Sequence, residues 1–277
     1  MYKKVYVEIT NVCNMNCSFC HGHKRAPRQM TAQEFSLVLD KLRGHTRFIY
    51  YHLMGEPLTH PLLPDFLKTA NEKGFKSIIT TNGTLLKKRS EELLNSPLHK
   101  INVSLHSFEN GENESHLSYL RDVADFAKKA AEKQIIVVFR LWNNGFDDGK
   151  NEMAVKILKE KISDEWCENT RGIKITDKIF LEYGDRFEWP DENVEIKGEK
   201  FFCYGLKDQF GILSNGTVVP CCLDSDGIIN LGNVYTDNLD DLLSSNRATE
   251  MVKGFRCNKA TEELCKRCGY AQKFVNK

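Results

Sequence analysis

Residues 5–20 read VYVEITNVCNMNCSFC, a β-rich apolar run followed at once by three cysteines in a CxxxCxxC spacing. The run predicts a β-strand, so Cys13, Cys17 and Cys20 lie in the loop that follows it. Thiolates this close together can bind three irons of a cubane iron–sulfur cluster. A closed 4Fe–4S cluster takes four cysteines, so this spacing leaves one iron open to a small molecule and indicates a reaction centre.

Composition limits the class of protein. The chain has 277 residues, a formal net charge of +1 and 41% hydrophobic residues, enough for one large α/β domain or for one domain with a small module. No run approaches the ~20 apolar residues of a membrane span, and the start MYKKVYVEIT lacks the apolar region of a secretory signal. We therefore expect a cytoplasmic protein with no membrane partner. The near-neutral charge provides no general attraction for nucleic acid.

The cysteines indicate metal binding. There are ten in a chain without a secretion signal, which argues against a disulfide framework. Most of them fall in tight groups, one near each end of the chain. Zinc is the alternative for the first group, but zinc prefers two matched CxxC pairs. Because oxygen attacks exposed iron–sulfur clusters, the pattern favours a reducing cytoplasm.

Five β-rich apolar runs recur along the first half of the chain, with helical segments between them. They are Tyr2–Thr10, Arg47–Gly55, Phe75–Gly83, Lys100–Phe108 and Gln134–Trp142. Their starts lie 25 to 45 residues apart, a spacing that suits a strand plus a crossover helix. Near-continuous apolar strands are typical of parallel sheets covered on both faces. The pattern predicts an open barrel of five or six βα units.

Three helices have clear signals at their ends. Thr31 and Glu34 form a capping box that opens a helix before Gly44. A second helix is predicted from about residue 61 to Gly74, a plausible terminating glycine. A long amphipathic helix is predicted from about residue 114 to 133.

The chain changes character after the predicted barrel. Residues 171–200 hold eight acidic residues and FEWP, which indicates either a bridging, substrate-side segment or an acidic solvated connection. In residues 201–277, FGILSNGTVVPCC predicts a hairpin, because Asn215–Gly216 is a strong hairpin turn. A helix is predicted from about residue 238 to 253, with Gly254 at its end. We expect a barrel core at 1–162, the last barrel element and a bridging segment at 163–200, and a cysteine-rich module at 201–277.

Short polar motifs stand at the ends of the predicted strands after the first. They are LMGEP at 53–57, TTNG at 80–83, VSLHS at 103–107 and FRLW at 139–142. Each motif alone is weak, because such turns and loops are common. Active sites of parallel α/β folds gather at the carboxyl ends of the strands. The order of these motifs behind CxxxCxxC therefore makes them a strong joint signal.

Taken together, these motifs resemble the radical S-adenosylmethionine (radical SAM) superfamily. In that family the open iron binds the amino and carboxylate groups of SAM, and an electron from the cluster cleaves SAM to a 5′-deoxyadenosyl radical. The resemblance implies a partial (β/α)6 TIM-like barrel of the α/β class. It also implies that Cys13, Cys17 and Cys20 bind the SAM-associated 4Fe–4S cluster.

The resemblance further implies a set of SAM-binding residues. Phe19 corresponds to the aromatic residue that packs beside the adenine, and Glu56 and the backbone of its turn would receive the methionine ammonium. Met54 replaces the first glycine of the family's GGEP motif. Arginine at 140 suits the SAM carboxylate, because its planar fork binds carboxylates through two hydrogen bonds. The implied set is Phe19, Gly55, Glu56, Pro57, Thr81, Asn82, Ser104, His106 and Arg140.

The C-terminal cysteines resemble the SPASM/twitch modules of some radical SAM enzymes. The frame of the shorter twitch module, a β-hairpin plus helix, is matched by Cys203, by Cys221 in a Gly216-x4-Cys221 spacing, and by the CxxC pair Cys265 and Cys268. The additional CxxCxxxxxC run of a full SPASM module is absent. One auxiliary 4Fe–4S cluster with these four ligands is implied. A structural zinc site is the alternative.

Two cysteines leave the auxiliary ligand set open. Cys222 adjoins Cys221, and alternation along a strand would point the two side chains in opposite directions. Cys257 is an alternative to one of the last pair. The Gly-x4-Cys spacing favours Cys221 as the ligand.

The implied function is an enzyme that cleaves SAM reductively and abstracts a substrate hydrogen. It would complete an oxidation or another modification with its auxiliary cluster. We expect a polar small molecule or a peptide as substrate, and a flavodoxin- or ferredoxin-type electron donor.

Two alternative functions remain. The first is RNA modification, with which the VSLHS motif and the basic tail 253–277 are compatible. The tail has seven basic and two acidic residues, a net charge of +5. We expect this tail to be solvated and not to bind nucleic acid. A non-catalytic electron carrier is the other alternative, but a carrier needs no GEP turn.

Overall fold

Strands and helices alternate along the chain. The computed structural model describes residues 1–108, 113–147, 149–169 and 172–275. Its strands are β1 (Lys4–Val7), β2 (Phe48–Tyr50), β3 (Lys76–Thr81), β4 (Leu98–Ser104), β5 (Ile136–Leu141), β6 (Cys167–Asn169), β7 (Gly172–Lys174), β8 (Ile179–Tyr183), β9 (Gln209–Ile212) and β10 (Val218–Val219). Its α-helices are α1 (Ala32–Lys41), α2 (Leu63–Glu72), α3 (Leu86–Leu94), α4 (Asn113–Glu132), α5 (Lys150–Lys161), α6 (Leu239–Leu243), α7 (Asn246–Arg256) and α8 (Glu263–Lys266).

The barrel is formed by strands β1, β2, β3, β4, β5 and β8, which pair in parallel in that order. Helices α1 to α5 connect successive strands, as parallel pairing requires. The sixth strand is reached through the antiparallel hairpin of β6 and β7, which also pairs with β8. The predicted α/β class and partial (β/α)6 barrel are confirmed.

Alternate residues of the barrel strands face opposite sides of the sheet. On the outer face, Val5, Val7 and Ile49 are fully buried and pack in one core with helix residues such as Leu39. On the inner face, residues such as Tyr6 line a central cavity. The strands were expected to be apolar on both faces. The inner face carries polar side chains instead, because it borders that cavity.

The C-terminal region is joined directly to the barrel. β9 pairs in parallel with β1, from Lys4 opposite Gln209 to Val7 opposite Ile212, and β10 pairs antiparallel with β9. One sheet therefore runs from β10 through β9 into the barrel. Main-chain hydrogen bonds hold the cysteine-rich region to the barrel, in addition to the segment that connects them.

The turn between β9 and β10 lies where the Asn-Gly pair predicts it. Gly216 has φ +88°, and Asn215 is not in the left-handed region. The Gly216 N–H donates to Leu213 O at 2.8 Å, and the Leu213 N–H donates to Thr217 O at 2.9 Å. A Cβ on Gly216 would lie 2.4 Å from Asn233 Oδ1. Glycine is therefore required at 216 both by the backbone angle and by the space available.

The predicted helices of the barrel are present. α1 begins with the expected capping box: Thr31 Oγ1 accepts the Glu34 N–H at 3.2 Å, and the Glu34 carboxylate accepts the Thr31 N–H at 2.8 Å. α2 ends just before Gly74, which has φ +85°. α4 matches the long helix predicted between residues 114 and 133. None of the described helices is long and apolar enough to cross a membrane.

The single helix predicted over residues 238–253 is wrong. The structure has two helices there, α6 and α7, separated by Ser244 and Ser245. The Ser245 hydroxyl accepts the Ala248 N–H at 3.3 Å, so it caps a new helix and does not continue the first. Gly254 lies inside α7. A Cβ there would lie 2.6 Å from Lys259 O, so the glycine admits a backbone contact and does not end the helix.

A fully buried carboxylate connects the barrel to the loops that follow. Glu8, just after β1, has no exposed surface, and the Arg25 guanidinium donates to its two oxygens at 2.8 and 2.7 Å. The Ser214 N–H and hydroxyl donate to Glu8 at 3.1 and 2.8 Å, and the Met54 N–H donates at 3.2 Å. The cysteine loop, the LMGEP turn and the β9–β10 turn therefore meet at this one side chain.

Replacing Arg25 by Met tests how much this contact stabilises the fold. The substitution leaves the Glu8 charge buried without its cation, so we expect a loss of about 3–5 kcal/mol in the free energy of unfolding. Denaturant titration followed by circular dichroism measures the loss. Lys3→Met is the matched control: Lys3 is 76% exposed and lies 2.6 Å from Asp208, and an exposed pair contributes about 1 kcal/mol or less. Equal effects of the two substitutions would contradict the prediction.

Candidate active site

The first three cysteines occupy the loop after β1, as predicted. The loop closes through the Cys20 N–H, which donates to Cys17 O at 3.1 Å. The Cys17 thiol donates to Ser107 O at 3.5 Å, in the VSLHS motif after β4. The Met15 N–H donates to Cys13 Sγ at 3.4 Å. Such N–H donors stabilise the thiolate form that binds iron.

The LMGEP turn after β2 packs directly on the cysteine loop. Gly55 has φ +76°, and a Cβ there would lie 2.5 Å from Thr10 O. The next residue, Glu56, donates its N–H to Val12 O at 2.9 Å. Pro57 begins a short 3-10 turn and is buried. Glycine at 55 is thus required for the turn to approach the residues that precede Cys13.

The Glu56 carboxylate is a link between two strand ends. It is 2% exposed, and its oxygens accept the Leu58 N–H at 3.0 Å and the Asn82 N–H at 2.7 Å. Burial raises the pKa of this carboxyl to about 7, although these donors and the Thr81 side chain lower it. The predicted contact with the SAM ammonium stays a prediction. In this structure the carboxylate holds the ends of β2 and β3 together.

The TTNG motif after β3 contacts the cysteine loop from the other side. The Asn82 side chain donates to Asn14 Oδ1 at 3.0 Å, and Asn14 donates to Thr84 Oγ1 at 2.9 Å. Thr81 Oγ1 accepts the Gly83 N–H at 3.0 Å. Asn82 therefore helps to position the loop that carries Cys13 and Cys17, and Thr81 holds the turn at Gly83.

Phe19 and His106 meet, as the strand-end hypothesis requires. Their ring centroids lie 4.8 Å apart, and the Trp142 N–H donates to His106 Nδ1 at 3.3 Å. Ser104 ends β4 opposite Arg140 of β5. Of these predicted residues, His106 thus lies against the cysteine loop through Phe19.

A cavity of about 340 Å³ is lined by His106, whose ring packs against that of Phe19. It lies at the carboxyl ends of β4 and β5 and reaches Ser18 in the cysteine loop. The Arg186 guanidinium lies 5.5 Å from the Phe19 ring centroid and 5.0 Å from that of Phe146. This combination of aromatic faces and polar groups suits a flat heterocycle such as adenine.

A second, larger cavity of about 520 Å³ occupies the inside of the barrel. Arg140 lines it, with its guanidinium 3.5 Å from Glu182 and 4.5 Å from the Trp142 ring centroid. On its other side the cavity is lined by Cys203, Cys221, Cys222, Cys265 and Cys268. Arg140 therefore faces the space between the barrel and the C-terminal cysteines.

The four predicted auxiliary ligands share this cavity. Burial is the main cause that raises the pKa values of Cys203, Cys221, Cys265 and Cys268. Neighbouring cysteines raise these pKa values further, which reflects how near the thiols lie to one another. The Gly205 N–H donates to Cys203 Sγ at 3.4 Å. Iron displaces thiol protons on binding, so a buried group of four thiols fits a cluster by its donor chemistry.

The two alternative ligands have different surroundings. Cys222 also borders the cavity, but its thiol hydrogen bonds with the Tyr6 hydroxyl on the inner face of β1. Cys257 is exposed at the end of α7. Neither placement favours replacing one of the four ligands proposed from the sequence.

Sequence reasoning missed the polar side chains inside the barrel. Tyr6, Tyr50 and His52 form a cluster with ring centroids 5.2 and 5.3 Å from Tyr6. Burial, with Arg140 and Lys4 nearby, lowers the pKa of His52 to about 3 and keeps its ring neutral. These inward-facing residues could have been found from strand alternation, because every second residue of β1 and of the β2 region points into the barrel.

The basic C-terminal tail does not form an open cationic surface throughout. Lys266 lies 2.6 Å from Glu263 and 3.1 Å from Glu199, and Lys253 lies 2.7 Å from Glu250. These ion pairs lower the local positive charge on which the RNA-modification alternative depends.

Comparison with known families identifies the class of protein. Residues 7–157 match the model of the radical SAM superfamily, and residues 203–269 match an iron–sulfur cluster-binding domain of the SPASM type. The first match covers more than half of the chain. The chain therefore belongs to the radical SAM superfamily, and its C-terminal region matches a SPASM iron–sulfur domain.

Several curated relatives share part of the chain. A probable GTP 3′,8-cyclase of Sulfolobus acidocaldarius is 32% identical over 116 residues, which cover 37% of this chain and 34% of the relative. A tungsten-containing aldehyde ferredoxin oxidoreductase cofactor-modifying protein of Pyrococcus furiosus is 34% identical over 88 residues, covering 30% and 25%. These alignments span a third or less of the relatives' length. A probable GTP 3′,8-cyclase of Methanococcus vannielii is 25% identical over 305 positions, covering 94% and 95%.

Solved structures show the same fold. BtrN in complex with AdoMet and 2-DOIA has a TM-score of 0.61 and 18% identity, covering 97% of this chain and 93% of that chain. The protein anSMEcpe with bound AdoMet has a TM-score of 0.64 and 16% identity, covering 100% and 88%. SuiB of Streptococcus suis bound to the precursor peptide SuiA has a TM-score of 0.55 and 16% identity, covering 98% and 70%.

The raised pKa of Glu56 predicts a pH-dependent loss of stability. The folded protein holds this proton up to a pH of about 7, whereas an ordinary glutamate releases it near 4.5. The carboxyl therefore stabilises the fold fully below pH 4.5, and this stability is lost as the pH rises through 7. Between pH 5.5 and 7.5, we expect the unfolding free energy of the parent to fall by about 2 kcal/mol relative to Glu56→Gln.

Denaturant titration of both proteins at each pH measures this difference. Exposed Glu91→Gln is the matched control, and it should keep the pH profile of the parent. A parent and a Glu56→Gln protein with parallel profiles would show that Glu56 stays ionised throughout.

Proposed function

We propose that this enzyme binds a 4Fe–4S cluster through Cys13, Cys17 and Cys20 and reductively cleaves SAM at the open iron. When bound, the cluster supplies the electron that releases the 5′-deoxyadenosyl radical, which abstracts a substrate hydrogen. One observation carries the proposal. The cysteine loop is held at once by the strand ends after β2, β3 and β4, through Val12, Asn14 and Cys17.

The SAM-binding residues divide between the cysteine loop and the strand ends. We assign the adenine to the cavity of about 340 Å³ beside Phe19 and His106. The backbone of Gly55–Pro57 approaches the cysteine loop closely and would receive the methionine ammonium. Because both Glu56 oxygens accept backbone N–H groups, we assign Glu56 to holding this turn in place, and through it the ammonium site.

The auxiliary site is assigned to one 4Fe–4S cluster bound by Cys203, Cys221, Cys265 and Cys268. These four thiols are largely buried, and the Gly205 N–H donates to the sulfur of Cys203. A cluster here can accept the electron of the substrate radical, which gives a net oxidation, or can bind the substrate. The domain match at residues 203–269 supports the assignment.

The substrate site is assigned to the central cavity, which lies between the inner face of the barrel and the auxiliary cysteines. Its polar groups include those of Tyr6, Tyr50, His52 and Arg140. The volume of about 520 Å³ suits a small polar molecule or one side chain of a peptide. The structural neighbours crystallised with 2-DOIA or with a precursor peptide support both classes. A flavodoxin- or ferredoxin-type protein is proposed as electron donor.

Iron content tests the number of clusters. Anaerobically reconstituted protein should hold about eight irons, from two 4Fe–4S clusters. Replacing Cys13, Cys17 and Cys20 by Ala should leave about four irons, because the auxiliary ligands remain. Iron and zinc analysis measures both values. A parent protein with about four irons and stoichiometric zinc would overturn the auxiliary-cluster assignment.

Arg140→Ala separates a role toward substrate from a role toward SAM. Arg140 lines the cavity with the auxiliary cysteines, so we expect iron content to stay at the parent value and SAM affinity to fall less than about threefold. Loss of one charge-assisted hydrogen bond to SAM would instead weaken binding by about 1.5–3 kcal/mol, more than tenfold. Equilibrium binding of SAM to the anaerobic protein distinguishes the two. A tenfold loss of affinity would return Arg140 to the SAM carboxylate, the partner predicted from the sequence.

A further inference from the structure

Residues 184–200, named here the strap, run from the end of β8 towards Phe201 and contact both cysteine groups. At the first group, the Trp189 indole N–H donates to Phe19 O at 3.2 Å. The Trp189 ring stacks on His21 at 6.1 Å between centroids, and His21 lies 3.3 Å from Asp191. Phe19 and His21 flank Cys20. The strap therefore holds the peptide that carries the last ligand of the first cluster.

The same strap is held at the second group. Gly269, which follows Cys268, donates its N–H to Glu188 O at 3.1 Å. A Cβ on Gly269 would lie 2.6 Å from Glu188 O and 2.9 Å from Glu188 N, so glycine is needed for this approach. Farther along, the Lys197 N–H donates to Lys266 O at 2.8 Å, next to Cys265.

Two consecutive residues therefore join the two cysteine groups. Glu188 is bound through its main chain to the residue after Cys268, and Trp189 is bound to the residue before Cys20. A single peptide unit separates these contacts, so the main chain at 188 cannot shift far without moving the indole at 189. The Phe187 ring, 5.1 Å from that of Tyr270, adds a packing contact at the auxiliary end.

We propose that Trp189 is a positioning residue that ties the Cys17–Cys20 loop to the Cys265–Cys268 loop, so that a change at the auxiliary site alters SAM binding at the first. This inference rests on the proposed function, because it assumes a SAM site at the cysteine loop. The indole N–H donates to the Phe19 carbonyl and not to a cysteine. It acts through the Phe19 carbonyl, whose peptide sets the direction of Cys20.

A double-mutant cycle tests the connection. Gly269→Ala adds a Cβ that displaces the main chain of the strap at Glu188, near the auxiliary cysteines. Trp189→Phe keeps an aromatic ring but removes the N–H donor near Cys20. In the parent, Gly269→Ala should weaken SAM binding about three- to tenfold, a range typical of coupled sites. In the Trp189→Phe protein, the same change should weaken SAM binding less than about twofold, because the link is already broken.

Trp166→Phe is the matched control. Its indole N–H donates to Ser163 O at 2.6 Å, a bond of the same kind near the end of α5 that involves neither cysteine group. In the Trp166→Phe protein, Gly269→Ala should keep its full effect on SAM binding. Loss of the effect there as well would mean that any weakened tryptophan bond uncouples the sites, and the assignment to Trp189 would be abandoned.

The readouts do not depend on the identity of the substrate. SAM affinity is measured on the reconstituted enzyme by equilibrium binding, together with the change that SAM causes in the electron paramagnetic resonance signal of the reduced protein. Hydrogen exchange of residues 13–20 in the same protein reports on the loop. Faster exchange is expected in Trp189→Phe and in Gly269→Ala, but not in Trp166→Phe.

Iron content and circular dichroism are checked first. If Gly269→Ala loses iron, Phe187→Leu replaces it in the cycle, because it removes the contact with Tyr270 without altering a neighbour of a cysteine. The inference is overturned if neither substitution changes SAM affinity or loop exchange in the parent, or if the change is equally large with Phe at 189. A parent protein that holds iron but does not bind SAM would instead overturn the proposed function.

Discussion

The buried pair of Glu8 and Arg25 is the contact on which the arrangement of the site depends. A carboxylate removed from water is stable only when its charge is balanced and its oxygens accept hydrogen bonds. Here the partners come from three separate parts of the chain: Arg25 after the cysteine loop, Met54 in the turn after β2, and Ser214 in the β9–β10 turn. Satisfying one carboxylate therefore brings together the first cysteine loop, the turn proposed to bind the SAM ammonium, and the start of the C-terminal domain.

The two cavities are lined by residues that belong to neighbouring strands. His106 follows β4 and faces the cavity beside Phe19, whereas Arg140 of β5 faces the inside of the barrel. The proposed SAM site and the proposed substrate site therefore border neighbouring strands. The second is lined by apolar and aromatic side chains together with the polar groups of Tyr6, His52 and Arg140. The neutral ring of His52 and the paired charge of Arg140 keep this space polar without an unbalanced anion.

Local sequence patterns made much of the fold and of the first cysteine site predictable. The cysteine loop and the Thr31 capping box each depend on residues that are close together in the chain, so the sequence alone indicates them. The motifs at the strand ends were predictable because parallel strands bring their carboxyl ends together. Long-range and competing effects were not predictable. Pairing of Lys4 with Gln209 has no local signal, and Ser245 starts a new helix where periodicity alone favours a continuous one. The role of Glu56 as a link between strands depends on where the Leu58 and Asn82 N–H groups point, which no sequence pattern specifies.

The parallel pairing of β9 with β1 has a consequence for how the protein is made. On the ribosome, the first cysteine loop emerges well before the strand that covers the free edge of β1, which begins only at Gln209. Until then β1 presents an unpaired, apolar edge, a feature that promotes association between chains. The Ser214 donors to Glu8 are also missing from a nascent chain of this length. The cysteine loop thus reaches its final shape only after β9 and the turn at Ser214 have been translated.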